Sequence, residues 1–177
     1  MLTLVLAVAL VGCQSDEARL SGEAHLSRDD AERAQNEAGV RIYWLGESFE
    51  GLPLTRADVD GPRRAALTYG ECDGESEGFD SFRCTGPQIQ IQHFPFTAVG
   101  WRIASGCRTL PTVRGVPTLR HDGLVLVTGD GIVKVYARNA AQDLRVARSV
   151  TPINDPVSRL PPPTPRQRRI VAAACPA

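Results

Sequence analysis

Leu124-Val125-Leu126-Val127-Thr128-Gly129-Asp130-Gly131-Ile132-Val133-Lys134-Val135-Tyr136 reads as two apolar strands on either side of a Gly-Asp pair. A two-residue loop of that kind is a strong short-range hairpin signal. Val133 and Val135 then share one face and Lys134 takes the other. Because Leu126 is apolar as well, the sheet is expected to be covered on part of both sides. Val135 belongs in the core, while Lys134 is expected to turn its ammonium to water.

Working outward, Val113 to Leu119 is extended but interrupted by Gly115 and Pro117, which predicts a bulged or edge strand. Gln88-Ile89-Gln90-Ile91-Gln92 alternates as a half-buried strand, and Ala65 to Tyr69 alternates likewise. His93 to Cys107 is broken by Pro95 and Gly100, and Gly46 to Pro62 is turn-rich. Val40 to Leu45 reads as a strand with Ile42 and Trp44 opposed to Arg41 and Tyr43. Ser27-Arg28-Asp29-Asp30 opens a helix with an alanine face, Ala31, Ala34 and Ala38, that Gly39 stops. Downstream, Asn139 caps a helix carrying Gln142 at its third position, with Leu144, Ala147 and Val150 at helical spacing, and Pro152 ends it. Pro156 to Pro165 is loop with polyproline character, more a stiff connector than a peptide ligand, and Arg166 to Ala174 is a short basic helical segment leading to Cys175. Helix, antiparallel strands, then helix predicts an α+β fold, an antiparallel sheet with helices packed on one face.

With 177 residues, 42% hydrophobic and 23% charged, the chain is one domain's worth, and disordered, fibrous and multi-pass membrane classes are excluded. Twenty bases balance twenty acids, but unevenly along the chain. Residues 14–90 carry 16 acids against 8 bases, and residues 91–177 carry 12 bases against 4 acids. If the halves segregate, an Arg-rich C-terminal surface around Arg159, Arg166, Arg168 and Arg169 can touch anionic headgroups or wall polymers. Ordinary surface arginines are the simpler expectation.

The N-terminus carries the cellular address. Leu2 to Val11 is an apolar run too short to span a bilayer, and it ends in Leu10-Val11-Gly12-Cys13 before the polar Gln14-Ser15-Asp16-Glu17. This resembles a bacterial lipobox, in which a small residue precedes a Cys that is acylated and becomes the mature N-terminus. The resemblance implies a signal peptide over 1–12, a lipidated Cys13 with a flexible tether over 13–26, and a single domain over 27–177 ending in a Pro-rich tail. No Lys or Arg precedes the apolar run, so the charged n-region is missing and the true start is expected upstream of Met1.

Beside Cys13, the even number Cys72, Cys84, Cys107 and Cys175 is compatible with two disulfides in an oxidising compartment. Three connectivities exist. Cys72 with Cys84 is favoured because the pair brackets a polar loop between neighbouring strands, and Cys107 with Cys175 because it ties the tail to the body. No two of these cysteines are close enough for a zinc site.

Catalytic spacing is absent. Gly46-Glu47-Ser48-Phe49-Glu50-Gly51 has one residue too many for a nucleophile elbow. His25, His93 and His121 are scattered without ligand spacing and read as satisfied or solvated histidines, so no metal and no cofactor is expected. Asp73, Glu75, Glu77 and Asp80 crowd one loop in a way that suits calcium chemically, but the spacing is not that of an EF-hand, and a solvated acidic loop is expected.

The lipobox, the helix feeding Val40-Arg41-Ile42-Tyr43-Trp44, the Tyr69-Gly70-x-Cys72 corner, and Arg114-Gly115-Val116-Pro117 followed by the hairpin and the Asn139-capped helix resemble a group of actinobacterial cell-envelope lipoproteins of unknown activity. The resemblance spans most of residues 40–150 and implies an envelope lipoprotein, with no catalytic residue to carry over. The expectation is a lipoprotein anchored on the extracytoplasmic face of the bacterial cell membrane through Cys13, acting as a non-enzymatic binding or interaction module. Its partner would be an envelope protein or an anionic polymer, and not nucleic acid. The alternative is an envelope enzyme acting on a wall polymer or lipid, with carboxylates such as Asp58 or Glu47 brought together by the fold.

Overall fold

Val125 and Lys134 stand opposite each other across the central hairpin, as do Val127 and Ile132, so its register is the one its alternation demands. The structure, a computed structural model, describes residues 25–71, 88–97, 107–155 and 159–175. In chain order the elements are helix α1 (Arg28–Ala38), strands β1 (Tyr43–Trp44), β2 (Ser48–Phe49), β3 (Leu52–Val59), β4 (Ala65–Tyr69), β5 (Ile89–Phe94), β6 (Arg108–Val113), β7 (Val116–Arg120), β8 (Leu124–Val127) and β9 (Ile132–Tyr136), helix α2 (Ala140–Ser149), strand β10 (Thr151–Pro152) and helix α3 (Pro165–Ala174). The fold is α+β. Eight strands form one antiparallel sheet in the order β2-β3-β4-β5-β9-β8-β7-β6, and β1 pairs separately with β10.

One face of that sheet holds the larger core. Ala65, Leu67, Tyr69, Ile89, Ile91, Val133, Val135, Leu124 and Leu126 meet the alanine stripe of α1, Val146 and Ala147 of α2, and Val150 just after it. Alanines let α1 lie close to the sheet, and Ala31, Ala34 and Ala38 are all buried. The Asp30 carboxylate accepts both the Ser27 backbone N–H at 2.9 Å and its hydroxyl at 2.8 Å, fixing the first turn of α1. The Asn139 side chain accepts the Gln142 N–H at 3.0 Å at the start of α2. The expected helices and caps are therefore present, but helices occupy both faces. Val171 of α3 and Cys175 pack with Phe94, Leu119, Val125, Val127 and Ile132 on the opposite side, where Cys175 is bonded to Cys107. That is the one disulfide among the described residues. Cys13, Cys72, Cys84 and the acidic loop with Asp73, Glu75, Glu77 and Asp80 lie outside them.

The chain reaches that second face around the end of the central hairpin. Leu160 is still in the first core, and Gly129 then donates its N–H to the Pro161 carbonyl at 2.7 Å. The loop is the expected Gly129–Asp130 pair, closed by hydrogen bonds between Thr128 and Gly131. Neither Gly129 nor Asp130 has a positive φ, so the glycine answers a different need. A Cβ at Gly129 would lie 2.9 Å from the Pro162 carbonyl oxygen. The proline-rich stretch is thus a docked connector.

Three expectations are corrected. Within the turn-rich stretch Gly46 to Pro62 lies the eight-residue β3, whose polar Arg56 and Asp58 hide its pairing. Val113 to Leu119 is not a single strand but the end of β6, a turn with Arg114 and Gly115 at φ 53° and 82°, and then β7. Two positive φ values make that the primed hairpin turn for which Gly at the second place is suited. Finally, Ile42, Tyr43 and Trp44 are all buried, so Tyr43 is not on an exposed face as the alternation predicts, because β1 lies between β10 and His93.

Candidate functional site

The second face of the sheet is apolar over β7, β8, the start of β9 and Phe94 at the end of β5. Over the rest of β3, β4, β5 and β9 it is mostly polar. Arg56, Thr68, Gln90 and Tyr136 stand opposite one another in one row, and Asp58, Ala66, Gln92 and Lys134 in the next. Alternation in Gln88 to Gln92 predicts a wet face there, yet Thr68 is fully buried and Gln90, Gln92 and Lys134 are 6%, 5% and 3% exposed. Lys134 is on the face opposite Val133 and Val135, as the hairpin requires, but its ammonium is not turned to water.

Burying such groups is unfavourable unless they are partnered. The Lys134 ammonium contacts Asp122 Oδ1 at 2.5 Å and lies 4.8 Å from the centre of the Tyr136 ring. Burial would raise the Asp122 carboxyl, but hydrogen bonds from Lys134 and His121 outweigh it and hold the group below the usual carboxylate range. Gly123 is required beside this cluster, since a Cβ there would lie 2.7 Å from the Val135 carbonyl oxygen and 3.1 Å from the Tyr136 ring. At the other end of the rows Arg56 and Asp58 pair at 3.2 Å. Between them Gln92 Nε2 donates to Gln90 Oε1 at 2.9 Å. The Thr68 hydroxyl has no hydrogen-bond partner. The face therefore carries charges cancelled pairwise at its two ends and amide and hydroxyl groups in its middle.

The carboxylates named as a possible catalytic pair are not brought together. Asp58 and Lys134 end the same row three strand spacings apart, about 14 Å. Asp122, bound to Lys134, is therefore remote from Asp58 compared with the roughly 5 to 9.5 Å that separates glycosidase carboxylates. Glu47 is exposed and accepts the Arg28 N–H at 3.2 Å, so Asp58 and Glu47 serve different partners.

The first face holds a second polar cluster, and it is structural. His93 is buried, with Nε2 2.9 Å from the Tyr43 nitrogen and 3.0 Å from its oxygen, and Nδ1 3.4 Å from the Ala65 carbonyl oxygen. Burial pushes its pKa down to about 4, so the ring is neutral and pins β1 by accepting the Tyr43 N–H. The Tyr43 hydroxyl donates to Asp130 at 2.7 Å, and burial raises that phenol's pKa. The Tyr69 hydroxyl, raised likewise by burial, accepts the Leu45 N–H at 2.9 Å. His121, exposed, contacts Asp122, while His25 is exposed at the start of the described chain. Among the described residues no three His, Cys, Asp or Glu side chains converge as metal ligands, and no helix is long and apolar enough to cross a membrane.

The polar rows escaped the sequence reading because Arg56 and Asp58 lie in a stretch read as turns. The signal that could have exposed them is Gln90 and Gln92 on a strand next to an apolar one bearing the chain's single lysine. Compared with protein-family models, curated proteins and solved structures, the chain matches none.

Proposed function

We propose that this chain is a lipid-anchored lipoprotein of the bacterial envelope, held outside the cytoplasm through Cys13, and that its folded domain is a binding module. The observation that carries the compartment is the Cys107–Cys175 disulfide, which fastens α3 to the sheet, since such bonds persist in oxidising surroundings. The Leu10-Val11-Gly12-Cys13 sequence supports the anchor. A second bridge, Cys72 with Cys84, belongs to this proposal: β4 and β5 are antiparallel neighbours with Tyr69 opposite Ile89, so both cysteines lie in the connection between one pair of strand ends. The polar rows, with acids already neutralised by Lys134 and Arg56, support a binding role over an enzymatic one.

Fractionation of cells making the wild-type chain and Cys13→Ser is the test. The wild type is expected in the membrane fraction, resistant to salt extraction, cleaved before Cys13 and heavier by its lipid, and the variant either released or misprocessed, uncleaved and without lipid. A wild type that is unmodified by intact mass and fractionates like the variant would refute lipidation at Cys13.

A further inference from the structure

The arginines of this fold are not distributed evenly with respect to acids. Seven of them, Arg28, Arg33, Arg41, Arg56, Arg64, Arg120 and Arg145, pair with a carboxylate. Arg63, Arg108, Arg138 and Arg148 also form no ion pair with a carboxylate among the described residues, but they stand singly along the chain, whereas the segment from Arg159 to Cys175 gathers such arginines. It contains four arginines and no Asp or Glu, and Arg159, Arg166, Arg168 and Arg169 are all exposed. None of the four forms an ion pair with a carboxylate among the described residues. The acid of the turn against which the segment packs, Asp130, is taken by Tyr43 and Arg41. Arg168 donates to the Pro163 carbonyl at 3.1 Å, which holds it over the connector.

Their place in α3 is also locally unfavourable. Arg166, Arg168 and Arg169 lie in the first half of the helix, where the macrodipole is positive, and the first turn has no acid to offset it. The inward side is Gln167 and Val171, leaving Arg166, Arg168 and Arg169 on the outward side, followed only by Ala172 and Ala173. A helix face that concentrates unpaired cations where its own field opposes them is suited to an anionic surface that would relieve both.

We propose that this face, Arg159, Arg166 and Arg169 with Arg168 beside them, rests on the anionic headgroups of the membrane in which Cys13 is anchored. The proposal builds on the lipid-anchor reading and adds an orientation to it: α3 faces the bilayer, and α1 and α2, on the other side of the sheet, face away. Guanidinium groups suit phosphate because they donate in a planar fork. A wall polymer rich in phosphate shares that chemistry, but the tether places lipid phosphate beside the domain at all times.

The experiment uses the mature chain that the lipobox implies, residues 13–177 with Cys13→Ser, so that neither an acyl chain nor the apolar run Leu2 to Val11 contributes, and measures sedimentation with vesicles. Binding is expected to phosphatidylcholine vesicles carrying about one third phosphatidylglycerol, not to pure phosphatidylcholine, and to weaken as salt rises. Near an anionic bilayer each cation strengthens binding about fivefold, so Arg159→Gln/Arg166→Gln/Arg169→Gln should bind about a hundredfold less tightly. The matching triple change to Lys should retain most of the binding, and Arg33→Gln/Arg145→Gln, which removes paired arginines, should leave it unchanged. Thermal melts check that each variant is folded. Vesicle binding that survives the triple Gln change overturns the proposal, as does binding to soluble poly(glycerol phosphate) without binding to the anionic vesicles. Because this protein carries no lipid, its result is independent of whether Cys13 is acylated in the cell.

Discussion

At the residue scale, His93 and Lys134 are the two side chains whose burial has measurable consequences. A neutral histidine buried with a pKa of about 4, against an ordinary 6.5, binds its proton less readily folded than unfolded. Its contribution to stability is therefore complete above pH 6.5 and is lost as pH falls from 6.5 toward 4. Urea melts at pH 7.5 and pH 5 should show stability falling by about 1 to 2 kcal/mol over that interval. His93→Gln, less stable at both values, should show a much flatter dependence. Lys134→Ala removes a buried stem that packs on Tyr136 and leaves Asp122 without its cation. It should cost about 1 to 3 kcal/mol, comparable with Val135→Ala, which empties part of the opposite face. Equal melts for wild type and Lys134→Ala would contradict the buried position of the ammonium.

At the scale of elements, the β8–β9 hairpin is the joint on which the chain's last third turns. Its Gly129 admits the Pro162 carbonyl, its Thr128 carbonyl receives Gln167 Nε2 at 3.4 Å, and its Asp130 holds Tyr43. Gly129→Ala should destabilise the protein by about 1 to 3 kcal/mol through overpacking against the connector, and its effect should fall most on α3. Hydrogen exchange of the α3 amides reads that directly; protection lost uniformly over all elements would contradict the hinge role.

What could be read in the sequence was local. The hairpin pairs Val127 with Ile132 across a two-residue loop, the caps at Ser27 and Asn139 act within three residues, and the strand at Ala65 to Tyr69 has its own period. What could not be read depended on partners distant along the chain. β3 is a strand because β4 pairs with it, even though its outward residues look like turn residues. Lys134 is buried because Asp122, Tyr136 and the glutamines of β5 give that face polar company. The position of α3 on the second face follows from the connector's path past Gly129, which no periodicity in Arg166 to Ala174 encodes.

At the scale of the whole molecule, the two faces of the sheet have different duties. One buries α1 and α2 and holds most of the apolar core, whereas the other combines polar rows with a helix fastened by a covalent bond. The bond between Cys107 and Cys175 spans 68 residues of sequence, and removing it should cost about 2 to 5 kcal/mol. A Cys107→Ser/Cys175→Ser chain should therefore melt well below the wild type. The central claim, an envelope protein anchored at Cys13, joins this bond to the N-terminal sequence. Intact mass of the protein extracted from membranes, before and after reduction, tests both at once. The account predicts a chain beginning at Cys13, heavier than its sequence by a diacylglycerol-derived modification, that takes up alkylating reagent at Cys107 and Cys175 only after reduction. An unmodified chain that retains Met1 and alkylates at both cysteines without reduction would contradict it.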